Sequence, residues 1–356
     1  MNDLNVGAYL VRRALLTVVV VIGTITITFF LSHVVPSNPV ILLAGQNPTP
    51  EQIARLTHEY GLDEPLYVQF LIYLRQVFSG NLGISFSFSL QPVLPLVLQT
   101  LPNSMTLGAL ATLLAIVVGI PLGVESARRT GRKFDSLMRI FSVSSVALPQ
   151  FWLGLILQLI FAVYLGILPN ASYGGSLLFF DMHPVKTVTG SYLIDSLLTG
   201  NFATFVAIAK SMVLPVLTLA LYPIGLMIKQ TRSSVMAALS QDYIRTARAY
   251  GIKEREVNYR FALKNALPPI IVTAALTFAY SSTLGVIYVE EVFNLAPGLG
   301  FLLRSSTGTG ISSTGISGAL DYQLILGLAI VVGIFYAIAN LVADALQIYF
   351  DRRIAR

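Results

Sequence analysis

Glu290 and Glu291 are adjacent carboxylates, a pair that could serve general acid–base work. They fall at the end of an apolar segment, where an interfacial turn is the plainer reading. The three histidines, His33, His58 and His183, are scattered and have no metal-ligand spacing. No Ser/His/Asp or Cys/His arrangement occurs. Cysteine is absent, which excludes disulfides, thiol chemistry and thiolate metal sites. There is no phosphate loop of the form G-x-x-x-x-G-K-[ST] and no Gly-Lys pair at all, so ATP is not bound by that route. The expectation is a chain that is not an enzyme and carries no cofactor or metal of its own.

The elements around these residues are apolar. Hydrophobic residues make up 55% of the 356 and charged residues 11%, against about 25% charged in a soluble domain. Arg12-Arg13 precede an apolar run from Ala14 to Leu31. That run is longer than the roughly 7–15 residues of a secretory signal, so it reads as an uncleaved first span, with a cleaved signal as the alternative. Five more segments, roughly 103–125, 138–165, 205–228, 267–289 and 322–346, are near or above the ~20 residues needed to cross a bilayer. The expected fold is an all-α integral membrane protein with six transmembrane helices.

The net charge of +6 could suggest nucleic acid, but the basic residues lie between apolar spans. That distribution points to a lipid bilayer and not to nucleic acid. Eighteen of the twenty-three Lys and Arg fall on one side; the other side has Arg55, Arg75, Lys186, Lys210 and Arg304. Both termini are therefore expected in the cytoplasm of a multi-pass cell-membrane protein. The span middles carry no Asp, Glu, Lys or Arg, which weighs against the alternative of an ion-coupled carrier or channel. Glu125, Lys210 and Asp344 lie near span ends, where snorkelling or pairing suffices. Pro215, Pro223, Gly327 and Gly333 suit bends or close helix packing.

Three regions follow: the N-terminal end and first span (1–31), a structured extracellular loop (32–100), and a five-helix core (101–356) with a cytoplasmic loop at 229–266. In the first loop, Thr49-Pro50-Glu51-Gln52 is a helix start with a capping box. Gly61 to Pro65 breaks that helix, and a second amphipathic helix runs from Leu66 to Phe78.

The stretch Lys229–Pro269 contains eight of the twenty-three Lys and Arg. Ser240 or Asp242 can cap a short helix with Ile244, Ala247 and Gly251 on one face. Tyr250-Gly251-Ile252 reads as a left-handed glycine stop followed by an apolar residue. A second short helix places Val257 and Phe261 on one side, with Arg255, Glu256 and Arg260 towards water. Pro268-Pro269 then restarts the chain as the first turn of the next span. The result is a compact knob facing the cytoplasm.

D-Y-I-R-T-A-R-A-Y-G, followed by A-L-K-N-A-L-P, resembles the cytoplasmic loop of permeases in binding-protein-dependent ABC importers, most closely the dipeptide/oligopeptide/nickel group. G-L-D-E-P-L-Y-V-Q-F, L-P-N-S-M-T-L, L-P-Q-F-W-L-G-L-I-L, V-E-E-V-F-N-L-A-P-G-L-G-F-L-L and the closing F-D-R-R-I resemble the same group, so the likeness runs from Tyr9 to the C-terminus. The resemblance implies that the loop is a coupling helix docked in an ATPase subunit, with Asp242, Arg245, Thr246, Ala247, Gly251, Leu267 and Pro268 as docking residues. Lys253 departs from it, standing where the group commonly has Ser. The resemblance also implies a second paralogous permease subunit, two ATP-binding subunits that bind ATP and Mg, and an extracellular solute-binding protein. Its substrates would be peptides, nickel complexes or oligosaccharides. The Gly/Ser/Thr-rich stretch 307–318 has no clear counterpart and reads as an outer insertion. Epitope tags at positions 45, 180 and 310 are expected to be reachable from outside intact cells, and tags at 130 and 250 are not; outside labelling at 250 contradicts this topology.

Overall fold

The computed structural model describes residues 3–34, 49–59, 63–169, 185–307 and 320–350. In chain order come α1 (Asp3–Val34), α2 (Pro50–Glu59), α3 (Leu66–Phe78), the strands β1 (Ile84–Ser85) and β2 (Gln91–Pro92), α4 (Val93–Arg128) and α5 (Lys133–Ala147). Next are α6 (Gln150–Gln158), prolonged by a π turn at Leu159–Tyr164, then α7 (Tyr192–Leu198), α8 (Phe202–Leu239) and α9 (Asp242–Ala249). A turn at Glu254–Glu256 passes through a π segment, Val257–Ala262, into α10 (Leu263–Tyr280). A second π segment, Ser281–Gly285, leads to α11 (Val286–Phe293); α12 (Leu299–Ser306) and α13 (Tyr322–Phe350) close the described chain.

Five stretches are long and apolar enough to cross a membrane: Val11–Leu31, Val93–Arg128, Phe202–Leu239, Glu254–Phe293 and Tyr322–Tyr349. The sixth expected span, 138–165, is not one straight helix. It is a pair, Lys133–Ala147 and Gln150–Tyr164, bent by 102°. The cause is Pro149, which disfavours helical backbone at the residue before it; Leu148 accordingly sits at φ −79, ψ 133.

Two further expectations are corrected. The charged stretch from Lys229 does not begin as a loop, because α8 continues to Leu239. Pro268 and Pro269 do not restart the chain; both lie inside α10. Each proline leaves a carbonyl unpaired one turn earlier, at Lys264 and Asn265. Both of those residues are exposed, so water can satisfy the freed groups.

The chain forms two compact units. The first comprises the described parts of Met1–Leu15, Gln99–Leu302 and Phe335–Arg356. Here α8 packs against α5, α6, α7 and α10. Gly119 and Gly123 on α4 bring that helix onto α8, since a Cβ at either would overlap Met227 or Thr231. Helices in lipid associate through such close packing of small residues. Glu290 on α11 is fully buried and acts as a hub: it accepts from Ser104 Oγ at 2.6 Å and from the Gly300 N–H at 2.7 Å. Ser104 Oγ in turn accepts from the Leu299 N–H at 3.0 Å. Glu291 is exposed, so the two carboxylates do not converge on one point, and Glu290 is a buried anchor, not part of an interfacial turn. Near the span ends, Asp344 pairs with Arg13 at 3.2 Å and Glu125 pairs with Arg128 and Arg129. Asp195 accepts from the N–H groups of Val188, Thr189 and Gly190 and from Thr189 Oγ1. Burial pushes that carboxyl up, but these donors outweigh it and hold it below the usual range.

The second unit comprises the described parts of Leu16–Leu98 and Leu303–Ile334. The expected capping box at the start of α2 is present: Gln52 N–H donates to Thr49 Oγ1 and Thr49 N–H to Gln52 Oε1. α3 begins and ends where the sequence places it. Phe29 meets Phe70 edge-on, with ring centroids 5.2 Å apart, and Tyr73 Oη donates to Thr28 Oγ1 at 3.3 Å. β1 and β2 pair antiparallel, Ile84 with Pro92 and Ser85 with Gln91. Buried Asp321 ties this hairpin to the start of α13, accepting from Ser85 Oγ, Ser87 N–H and Leu324 N–H. Gly327 and Gly333 permit close packing on Val93 and Thr24. Asp181, His183, residues 308–318 and the closing D-R-R-I-A-R lie outside the described residues.

Candidate functional site: the helical knob after α8

Ser240 still has helical backbone, at φ −83 and ψ −5, and ends α8. Its Oγ donates to the Ala237 carbonyl at 2.9 Å, so it does not cap α9. Asp242 does not cap it either: the N-cap position belongs to Gln241, without a side-chain cap bond. Asp242 is the first helical residue, where a carboxylate complements the positive end of the helix. It also pairs with Arg245 at 3.5 Å across open solvent.

The other end of α9 closes as the sequence predicts. Gly251 has φ +73, with nothing within 4 Å of where a Cβ would stand. The Gly251 N–H donates to the Arg248 carbonyl at 2.9 Å, and the Ile252 N–H to the Ala247 carbonyl at 3.2 Å. This pair of bonds is the Schellman closure. Across the turn, Arg248 Nε donates to Glu254 Oε1 at 2.8 Å.

The faces of α9 are distinct. Ile244 and Ala247 are buried, and α9 packs on the π segment at Val257–Ala262. Val257 is buried and Phe261 half-buried, while Arg255, Glu256 and Arg260 are exposed. Ala247 therefore seats the helix and does not present a surface. Asp242, Arg245, Thr246 and Gly251 are exposed, whereas Leu267 and Pro268 are half-buried within α10. The structure adds two residues that the motif reading passed over, Tyr243 at 38% exposure and Tyr250 at 82%. Their i, i+7 spacing on one helical face, flanked by arginines, was a readable signal. Exposed aromatics and arginines are typical anchors of a protein interface. The site has no nucleophile–base pair and no cluster of metal ligands among the described residues.

An anchor missed by sequence reasoning holds the base of the knob. Asp135, in the first turn of α5, is 1% exposed. Its carboxylate accepts from Arg232 Nε at 2.5 Å and Nη2 at 3.0 Å, from Ser126 Oγ at 2.7 Å and from the Gly131 N–H at 3.0 Å. Three helices, α4, α5 and α8, are thereby fixed at the end of α8 that leads into α9. Both ionised residues lie in stretches that read as loop charges, so only their separation in space reveals the pair.

Comparison with known proteins gives a consistent result. Residues 116–356 match the family described as the binding-protein-dependent transport system inner membrane component, and residues 7–108 match its N-terminal counterpart. A probable D,D-dipeptide transport system permease of Escherichia coli is 39% identical over 95% of this chain and 95% of its own length. A dipeptide transport system permease of Alkalihalophilus pseudofirmus is 33% identical over 98% and 99%. An oligopeptide transport system permease of Bacillus subtilis is 32% identical over 98% and 99%.

Removing one partner of a buried, hydrogen-bonded ion pair costs about 3–5 kcal/mol. Asp135→Ala is therefore expected to lower the Tm of the purified protein by on the order of 10 °C. Arg245→Ala, in an exposed pair, is expected to leave it unchanged. Equal melting of the two variants by fluorescence-detected unfolding contradicts the anchor's role.

Proposed function

The chain belongs to the family of inner-membrane components of binding-protein-dependent transport systems, and we propose that it forms half of the passage through which an ATP-driven importer moves small peptides. The observation that carries this reading is the knob itself. It is a short helix, closed by a left-handed glycine, seated through Ile244 and Ala247 and exposing Tyr243, Arg245 and Tyr250. Such a body can dock in another protein without doing chemistry of its own.

In this reading the knob faces the cytoplasm, as do both termini, and an ATP-binding subunit receives it. Closure of two ATP-binding subunits around ATP and Mg pulls on α9. The pull passes through α8 and the Asp135–Arg232 anchor to the spans, which rock between inward- and outward-facing states. A second, paralogous permease supplies the other half of the path, and an extracellular binding protein delivers the solute. Small peptides are the favoured cargo because the similar permeases are named for dipeptides and oligopeptides.

The test uses the tagged chain expressed with its ATP-binding partners and binding protein. At φ +73 a residue with a Cβ is disfavoured by roughly 1 kcal/mol, and a β-branched one by more. Gly251→Val is therefore expected to reach the membrane in normal amount, yet to co-purify less ATP-binding subunit and take up less dipeptide. Arg255→Ala, on the solvated side of the turn, is expected to do much less. Wild-type uptake and co-purification in Gly251→Val refute the coupling role.

A further inference from the structure

A second polar site lies within the spans of the first unit, where the broken helix pair, α8 and the α10–α11 stretch each contribute a residue. We propose that Gln150, Tyr222 and Tyr280 form a subsite for the peptide backbone of the transported solute. This rests on the importer reading above and adds the residues that would touch the cargo.

Gln150 is the first residue after the 102° break at Leu148-Pro149 and is 8% exposed. Its Oε1 accepts from Tyr280 Oη at 3.3 Å. Its Nε2 is buried and has no partner among the described residues. A buried donor left unpaired costs about 1–3 kcal/mol, so this position calls for an acceptor that the described residues do not supply. The Tyr280 ring lies 4.9 Å from the Tyr222 ring.

The local backbone is irregular on both sides of this cluster. Tyr280 immediately precedes the π segment Ser281–Gly285, and Gln150 follows the only break in a candidate span among the described residues. Non-helical backbone at membrane depth is tolerated where it is buried in protein or lines a polar cavity. Isolated π segments inside helices are frequent at functional sites.

The chemistry fits an uncharged peptide unit. A carboxamide can pair with an amide through both its donor and its acceptor. The tyrosine hydroxyls can donate to a carbonyl or accept from an N–H. The ring faces can attract an N-terminal ammonium without a carboxylate nearby. These three side chains carry no formal charge, so they would hold a ligand weakly and accept many side chains, as a conduit requires.

The experiment uses the whole importer reconstituted in vesicles with its binding protein, and radiolabelled L-alanyl-L-alanine as the probe. Because this chain has no cysteine, Tyr222→Cys introduces its sole thiol, and Tyr280→Cys serves if the first variant fails to assemble. Dipeptide with binding protein is expected to slow labelling by a small maleimide several-fold. Tyr280→Phe removes one hydroxyl and keeps the ring; it is expected to raise the KM for uptake about fivefold, the loss of roughly one hydrogen bond. Tyr164→Phe, exposed and outside the cluster, is expected to leave KM unchanged. If wild type takes up the dipeptide but labelling is unaffected by it, the subsite is overturned and the importer reading stands. If wild type takes up no dipeptide, the peptide reading fails, and this assignment fails with it.

Discussion

A charge placed inside a protein must be met by an opposite charge with its hydrogen bonds complete, or the structure pays heavily. At the foot of α8 that condition is met by a single carboxylate. Asp135 accepts two bonds from Arg232, one from Ser126 Oγ and one from the Gly131 N–H. The direction in which α8 delivers the chain to α9 depends on that joint. Above it, Gly119, Gly123 and Gly225 let α4 and α5 lie close against α8. Below it, Ile244 and Ala247 seat α9 on the π segment that leads into α10. The knob is therefore packed against both stretches of chain that reach it.

Much of this was legible from residue types alone. Gly251 between Tyr250 and Ile252 predicts a left-handed stop, because only glycine takes that conformation freely and an apolar residue beyond it closes the turn. The bonds and φ agree. Thr49 and Gln52 predict a reciprocal cap for a similarly local reason. The apolar lengths predict the spans because bilayer thickness sets a threshold that composition either reaches or misses.

What was not legible depends on distance along the chain. Asp135 and Arg232 are 97 residues apart and each looks like a loop charge. Glu290 looks like half of a carboxylate pair until Ser104 and Gly300 are found around it. The bend at Pro149 was within reach, since a proline penalises helical backbone at the preceding residue, but the apolar run across it masks the break. Ala247 was readable as an inward residue from its register with Ile244, whereas Tyr243 and Tyr250 needed the helix to be placed before their exposure had meaning.

The central claim is that the exposed ridge of α9 touches an ATP-binding subunit. Tyr250 is its most exposed aromatic, and the absence of native cysteine makes Tyr250→Cys the only thiol in this chain. The decisive measurement is short-range cross-linking from that thiol in intact membranes containing the assembled importer. The account predicts a product joining this chain to the ATP-binding subunit, with a yield that changes when ATP is added. A thiol that is labelled freely in the assembled importer, yet gives no such product with or without ATP, contradicts it.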